Sequence, residues 1–382
     1  MLFTAEHEQM RKVLRQLVEE EINPHADDWE AARIFPAHEL FPKFGAVGAL
    51  GLCYEEEYGG GGADQSYMAL FAEEMGRADC GGVPMALAVQ AFMATPALAR
   101  YGSDELKRSF LAPAISGEQV CSVAVSEPGA GSDVASIRTR ARRDGDDWVI
   151  NGRKMWITNG TQADWICLLA RTSDEGGHQG MSLIVVPTST PGFSVGRKIE
   201  KMGNHSSDTA ELVFDDVRVP IRNTIGEAGQ GFQMQMNQFQ DERLVMALMS
   251  VSGAQRALER TKDYLQVREA FGKPLLANQY LQYTLAELIA EVDILHGYLH
   301  HAFERYVEGH DVTREATMAK LKAGRLVRQV ADTCVQYHGG MGYAEEMWVA
   351  RYLRDTRLGS IGAGADEVML RIITMMEGMG KR

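Results

Sequence analysis

The sequence predicts a mostly α-helical chain with a central β domain, in the order α, β, α. Two observations carry that prediction. Apolar residues recur at helical spacing through residues 1–118 and again through 228–382. Between them, 119–227 breaks into short β-rich runs separated by turn residues, with no helices between the strands. That pattern argues for a small antiparallel barrel or sandwich in the middle. No G-x-G-x-x-G follows a strand, so a doubly wound dinucleotide-binding sheet is not indicated.

The elements follow in order. Thr4 caps a first helix with Glu6 and Glu8 in its first turn and Met10, Val13, Leu14, Leu17 and Val18 on one face. Gly59–Gly62 breaks the chain before a second helix, Gln65 to Met75, and more helix is expected at 83–101 and 104–115. In the β domain Asn151-Gly152 marks a two-residue hairpin between WVI and KMWIT. Helices are expected again over 231–267, about 279–308, about 312–337 and from Glu367 onward.

Composition narrows the function. A net charge of −13 argues against a nucleic-acid protein, which normally shows a basic face. Cys53, Cys80, Cys121, Cys167 and Cys334 are scattered without a C-x-x-C pair, which suits reduced thiols and predicts neither disulfides nor a structural zinc. The N-terminus has no export-type apolar core, and no window is expected to span a bilayer. A soluble, cytoplasmic protein is the expectation.

One helix carries an anomaly. Between Gly231 and Gly253 the residues Phe232, Met236, Phe239, Glu242, Met246, Met249 and Gly253 recur at steps of three and four, the signature of a single buried stripe. A carboxylate inside such a stripe is costly unless it is paired or partly protonated. Glu242 is therefore either a paired structural residue or a base with a raised pKa.

Four further segments carry chemistry. The run Val123, Ala124, Val125, Ser126, Glu127 leads into Pro128-Gly129-Ala130-Gly131-Ser132-Asp133, a strand entering a turn of small residues. Such a turn lets backbone N–H groups and Ser132 approach a flat or phosphorylated ligand, though the glycines read alone favour an ordinary β-turn. Trp156, Ile157 and Thr158 put an indole and a hydroxyl on one side of a strand, either to wall an aromatic ring system or as a core tryptophan beside an exposed threonine. Arg268-Glu269-Ala270-Phe271-Gly272-Lys273-Pro274-Leu275 with Gln279 sits at a helix break, where its cations either hold phosphates or complement the helix dipole. Gln336-Tyr337-His338-Gly339-Gly340 stops a helix at paired glycines, a C-cap signal in itself.

In this order the four segments resemble the acyl-CoA dehydrogenase family across essentially the whole chain. The resemblance implies a helical domain (1–118), a β-barrel domain (119–227) and a four-helix bundle domain (228–382), with FAD held between the β domain and the bundle. It implies a homotetramer, a dimer of dimers, in which the bundle of one subunit reaches its neighbour's FAD. Carried over by position, Val123–Ser132 and Trp156–Thr158 line the flavin, with Ser126 at its pyrimidine side and the Thr158 hydroxyl near N5. Arg268, Gln279 and Gln336–Gly340 reach the partner's FAD, and Ser132 touches the CoA moiety. The implied chemistry is α,β-dehydrogenation: a carboxylate removes the α proton and the β hydrogen leaves as hydride to flavin N5.

The base is the point of departure. Where most of the family carries a glutamate, this sequence has Ala363, in Ile361-Gly362-Ala363-Gly364-Ala365-Asp366-Glu367. Isovaleryl-CoA and long-chain acyl-CoA dehydrogenases also lack it there and place it on the long helix directly before an arginine. Asp241-Glu242-Arg243-Leu244-Val245 is similar to that motif, which assigns the base to Glu242. The resemblance sets Asp241, Arg243, Ala363 and Gly364 at the substrate and Ala365, Asp366 and Glu367 at the cofactor, with Ala365 departing from the usual threonine. Electron-transfer flavoprotein is the implied acceptor. The substrate stays open among branched, long-chain and terpenoid thioesters such as citronellyl-CoA, and oxygen-using oxidases and monooxygenases share the fold. A non-catalytic binding relative is disfavoured by the charge and by the relocated glutamate.

Overall fold

The structure is a computed structural model that describes residues 3–380. The first helical region runs through α1 (Ala5–Leu17), α2 (Ala26–Ala32), α3 (Ala37–Ala46), α4 (Ser66–Met75), α5 (Gly82–Val89), α6 (Pro96–Tyr101), α7 (Asp104–Leu106) and α8 (Ala112–Ile115). Thr4 caps α1, accepting from the His7 amide while the His7 ring accepts from the Thr4 amide. The second helical region holds α9 (Gly231–Val267), α10 (Gln279–Val307), α11 (Thr313–His338), α12 (Trp348–Thr356) and α13 (Asp366–Met376).

The two helical regions, though far apart in sequence, share one core. Leu14, Phe41, Phe71 and Leu87 from the first pack in a single cluster with Leu248, Leu299 and Val327 from the second. Removing this much apolar surface from water is the main drive for joining them. The apolar stretch Gly82–Tyr101 is long enough to cross a membrane by length and composition, contrary to the expectation of no such window. Here 89% of its most apolar window is buried inside the protein.

The β domain comprises β1 (Cys121–Ala124), β2 (Arg140–Asp144), β3 (Asp147–Thr158), β4 (Trp165–Arg171), β5 (Met181–Pro187), β6 (Phe193–Lys198), β7 (Thr209–Pro220) and β8 (Thr224–Ile225). Their order is β6-β7-β3-β2-β4-β5-β8, with β1 joined to β4. Two features depart from a purely antiparallel barrel or sandwich. β1 and β4 run parallel, and among the described residues β6 and β8, at the two ends of the path, do not pair with each other. A two-residue β8 offers too little edge to close a ring. β4 and β5 are buried on both faces: Trp165, Cys167 and Leu169 face the helices of 94–115, whereas Ile166, Leu168 and Ala170 face the opposite core. Their unbroken apolar runs follow from that double burial.

The Asn151-Gly152 hairpin is also corrected. β3 passes straight through these residues, and the turn lies at Gly145-Asp146, between paired Asp144 and Asp147. Gly152 marks a bulge instead, where the register against β7 shifts. A Cβ there would sit 2.4 Å from Thr139 Oγ1, so only glycine admits the neighbouring chain.

α11 packs against the segment leading to the 361–365 loop through Gly324, where an added Cβ would lie 2.4 Å from the Gly359 carbonyl oxygen. Gly324→Ala is therefore expected to lose on the order of 1–3 kcal/mol despite alanine's better helix propensity. Thermal unfolding beside wild type checks this; an unchanged or raised midpoint would show that the loop yields freely.

Candidate active site

α9 places Glu242, but its surroundings differ from the expected buried stripe. Phe232, Met236, Phe239, Glu242, Met246 and Gly253 are only half-buried, and Met249 alone of the seven is fully buried. The face of α9 turned into the core carries Met234, Gln238, Asp241, Val245, Leu248 and Ser252 instead. The reason is a cavity of about 130 Å³ beside the stripe, lined by Met246, Met249 and Gly253 together with Met75, Met85, Tyr352, Leu358 and Gly359. Only the C-terminal part of the stripe, Met246, Met249 and Gly253, walls this cavity, whereas Phe232 and Phe239 pack against the cluster that holds Leu98, Trp165 and Met234.

Glu242 stands one helical turn before that wall. Among the described residues its carboxylate makes no hydrogen bond or ion pair, and Arg243 and Lys320 act on it only through their charges. Burial raises its pKa to about 7, opposed by the charges of Arg243 and Lys320. Arg243 is itself buried, with its Nε free of partners and its pKa lowered by desolvation. It lies against the late loop: a Cβ on Gly364 would be 4.0 Å from Arg243 Nε.

That loop is held from the other side by Lys320 on α11, whose Nζ donates to the Gly364 carbonyl. Burial lowers the Lys320 pKa to about 8. Sequence reasoning missed Lys320; the available signal was a lysine among Ala316, Ala319, Ala323 and Val327 on the buried face of its helix. Ala363 takes φ +53° and Gly364 φ +98°, so a non-glycine residue occupies the left-handed region in this loop. Ala365 is the N-cap of α13 and offers no side-chain bond, so its departure from threonine leaves that helix end uncapped.

Several expected site residues are committed elsewhere. Asp241, expected at the substrate, accepts from Arg100 and Tyr306, each at 2.5 Å, and is buried away from the cavity wall. One residue's step along a helix turns the side chain by about 100°, so neighbours of Glu242 face other directions. Asp366 is buried against Arg325 at 3.2 Å, whereas Glu367 is exposed. The His338 ring turns inward, bonded to the Cys334 carbonyl and stacked on Tyr264 at 4.2 Å. It leaves the chain at Gly339 and Gly340 exposed beside Gln336, with Tyr337 half-buried.

Across from the helices, β1 runs into the 127–133 turn. The Glu127 side chain points into the protein, accepting from the Arg138 and Thr139 amides and from the fully buried Lys154 ammonium at 3.0 Å. The turn outside it is open: Gly131, Ser132 and Asp133 are exposed, and a Cβ on Gly129 or Gly131 would meet nothing within 4 Å. Beside it a bulge at Lys154–Ile157 holds Trp156 at φ +67° with its indole 58% exposed, while Ile157 is buried. The Ser126 and Thr158 hydroxyls have no intramolecular partner among the described residues. Val123 is half-buried, and Ala124 and Val125 are buried. Arg268, just past the end of α9, and Gln279, at the start of α10, are exposed.

The chain matches the N-terminal domain of acyl-CoA dehydrogenases over residues 4–118, the middle domain over 122–217 and the C-terminal domain over 229–377. It is 37% identical over 374 residues to the mitochondrial long-chain specific acyl-CoA dehydrogenase of Sus scrofa, covering 97% of this chain and 86% of that protein. It is 34% identical to the mitochondrial isovaleryl-CoA dehydrogenase of Solanum tuberosum, covering 98% and 90%. The crystal structure of a putative acyl-CoA dehydrogenase from Mycobacterium smegmatis superposes with a TM-score of 0.96 at 40% identity, covering 99% of both chains. The chain belongs to the acyl-CoA dehydrogenase family. It is a flavoprotein oxidoreductase that acts on acyl-CoA thioesters, and the family's cofactor is FAD.

The residues present fit that cofactor. An exposed indole held in a strained backbone, two unpartnered hydroxyls and a glycine turn open to solvent form a surface a planar ring can stack and hydrogen-bond against.

Proposed function

We propose that this protein oxidises the Cα–Cβ bond of a branched or long acyl-CoA to the trans-2-enoyl-CoA, with Glu242 as the base that removes the α proton. The observation that carries the reading is an unpaired carboxylate with a pKa near 7 on the same helix face as an apolar cavity. A base whose pKa lies near the working pH combines a usable ionised fraction with enough basicity to take a weakly acidic proton. Ala363 leaves the opposite loop without a competing carboxylate. FAD, when bound, supplies the acceptor for the β hydrogen.

The chain's own residues have distinct parts. Arg243 and Lys320 keep the Glu242 pKa from rising further, and Lys320 fixes the loop through Gly364. Arg100 and Tyr306, through Asp241, anchor the turn of α9 that carries the base. Ser126, Thr158 and Trp156 orient the flavin, and Ser132 meets the CoA. The cavity is close to the roughly 150 Å³ that holds a benzene ring, and its methionines adapt to irregular alkyl shapes. That volume suits a branched acyl group or the folded tail of a longer one.

Arg268, Gln279 and Gln336–Gly340 serve a second copy's FAD in a homotetramer. Phe271 supports this: at φ +54° beside Gly272 at φ +75°, it stands wholly exposed at the tip of a small hairpin, next to exposed Tyr280 and Tyr283. Electrons pass onward to an electron-transfer flavoprotein.

Anaerobic titration of the yellow protein with straight, 2-methyl, 3-methyl and terpenoid acyl-CoAs tests the reading. Bleaching of the flavin by a branched or long thioester is expected. No bleaching by any of them, or immediate reoxidation by air in place of transfer to electron-transfer flavoprotein, overturns it. The pH profile is a second check. Glu242 must be ionised to act, so kcat/KM is expected to rise with pH, reach half its plateau near 7 and fall about tenfold per unit below that.

A further inference from the structure

The N-terminal helices meet the bundle at a cluster the proposed chemistry does not use. His296 and His300 are one turn apart on α10, so both rings project from the same face. Both Nε2 atoms address Glu73 Oε1 on α4, at 3.1 and 2.5 Å. The three donor atoms all lie within 4.8 Å of one another. We propose that Glu73, His296 and His300 form a binding site for a divalent transition-metal ion of the zinc class, joining α4 to α10.

The chemistry of the donors selects the ion. Two imidazoles and one carboxylate suit Zn²⁺ or Co²⁺, whereas Mg²⁺ and Ca²⁺ prefer oxygen-only shells. An ion about 2.0–2.1 Å from each ligand in a tetrahedral shell needs donors roughly 3.4 Å apart, within the span the three atoms already cover. The fourth position falls to water, since His296 keeps 26% of its side chain exposed and His300 16%. The surrounding groups orient the ligands. Arg11 donates to the other Glu73 oxygen at 2.6 Å, and the ring of Phe3 meets the edge of His300 at 5.6 Å. Charge also favours a cation: among the described residues, Glu8, Glu73 and Glu74 pair with Arg11 and Arg15, three carboxylates against two guanidinium groups.

An ion here would fix α4, which carries Met75 on the cavity wall two residues beyond Glu73. The site does not depend on the dehydrogenase reading, and its test reads metal uptake rather than activity. FAD-loaded protein without an affinity tag, stripped with a chelator, is titrated with Zn²⁺ against a chromophoric competitor and separately with Co²⁺. One equivalent of Zn²⁺ per chain is expected, with visible ligand-field bands for Co²⁺ and a thermal midpoint that rises with Zn²⁺. In H296Q/H300Q, whose amides still hydrogen-bond Glu73 and keep the chain folded, affinity should fall more than about 100-fold and the thermal response disappear. Absence of stoichiometric uptake in wild type, or equal uptake by H296Q/H300Q, would show a hydrogen-bonded latch and overturn the proposal.

Discussion

Replacing Glu242 by glutamine is expected to lower the rate of flavin reduction at least about 100-fold while FAD content and acyl-CoA binding stay near wild type. The substitution keeps the shape of the side chain and removes its basicity. A second consequence has the opposite sign. The folded-state pKa of Glu242 stands near 7 against an ordinary 4.5, so the native protein holds a proton the unfolded chain releases across that interval. The wild-type protein therefore loses stability as pH rises from about 4.5 to about 7 and stays lower above it. E242Q has no charge to bury, so it should be more stable than wild type at pH 8, by on the order of 1–3 kcal/mol, with the gap closing toward pH 4.5. Denaturant unfolding at the two pH values checks this. A structural, ion-paired Glu242 would give the reverse, a variant less stable at pH 8.

Lys154→Met should have the largest effect on stability. Lys154 is fully buried on β3, and its ammonium bonds the Val125 carbonyl at 2.8 Å and Glu127 Oε1 at 3.0 Å. Burial lowers its pKa to about 8, with Glu127 opposing the shift. Without the lysine, Glu127 keeps its charge in a buried site with no cation beside it, held by the amides of Arg138 and Thr139 and the Thr139 hydroxyl, at a cost of about 3–5 kcal/mol. The same pair ties the 125–127 strand end to β3, so Ser126 and the open turn should drift from Trp156. The expected result is a lowered unfolding midpoint together with substoichiometric FAD after purification. Adding Glu127→Gln to Lys154→Met should recover part of the lost stability by removing the orphaned charge. Full FAD occupancy in the single variant would show that the pair does not shape the flavin surface.

The parts of the fold legible in the sequence were those written in local pattern. Helix α9 begins and ends where its periodicity does, at Gly231 and Val267, and α10 opens at Gln279 as its spacing indicates. Asn151-Gly152 misled because a bulge and a hairpin ask for the same permissive residues, and only the pairing of β3 with β7 tells them apart. The helix α12 went unread because nine residues give too short a pattern. At the site, Glu242 stood out as a charge in an apolar stripe. That the C-terminal part of the stripe borders a cavity depends on α4, α5 and α12, which no local window contains. Lys320 reaches the 361–365 loop across 44 residues of chain, and Glu73 meets His300 across 227. Such pairings are set by packing, and residue spacing does not reveal them.

The assignment of Glu242 is tested most directly by anaerobic single-turnover mixing of FAD-loaded wild type and Glu242→Gln with the acyl-CoA that bleaches wild type most readily. The account predicts fast bleaching in wild type, with a rate that rises through pH 7, and bleaching slowed by at least about 100-fold in the variant at every pH. Bleaching within tenfold of wild type, with the same pH profile, would contradict it.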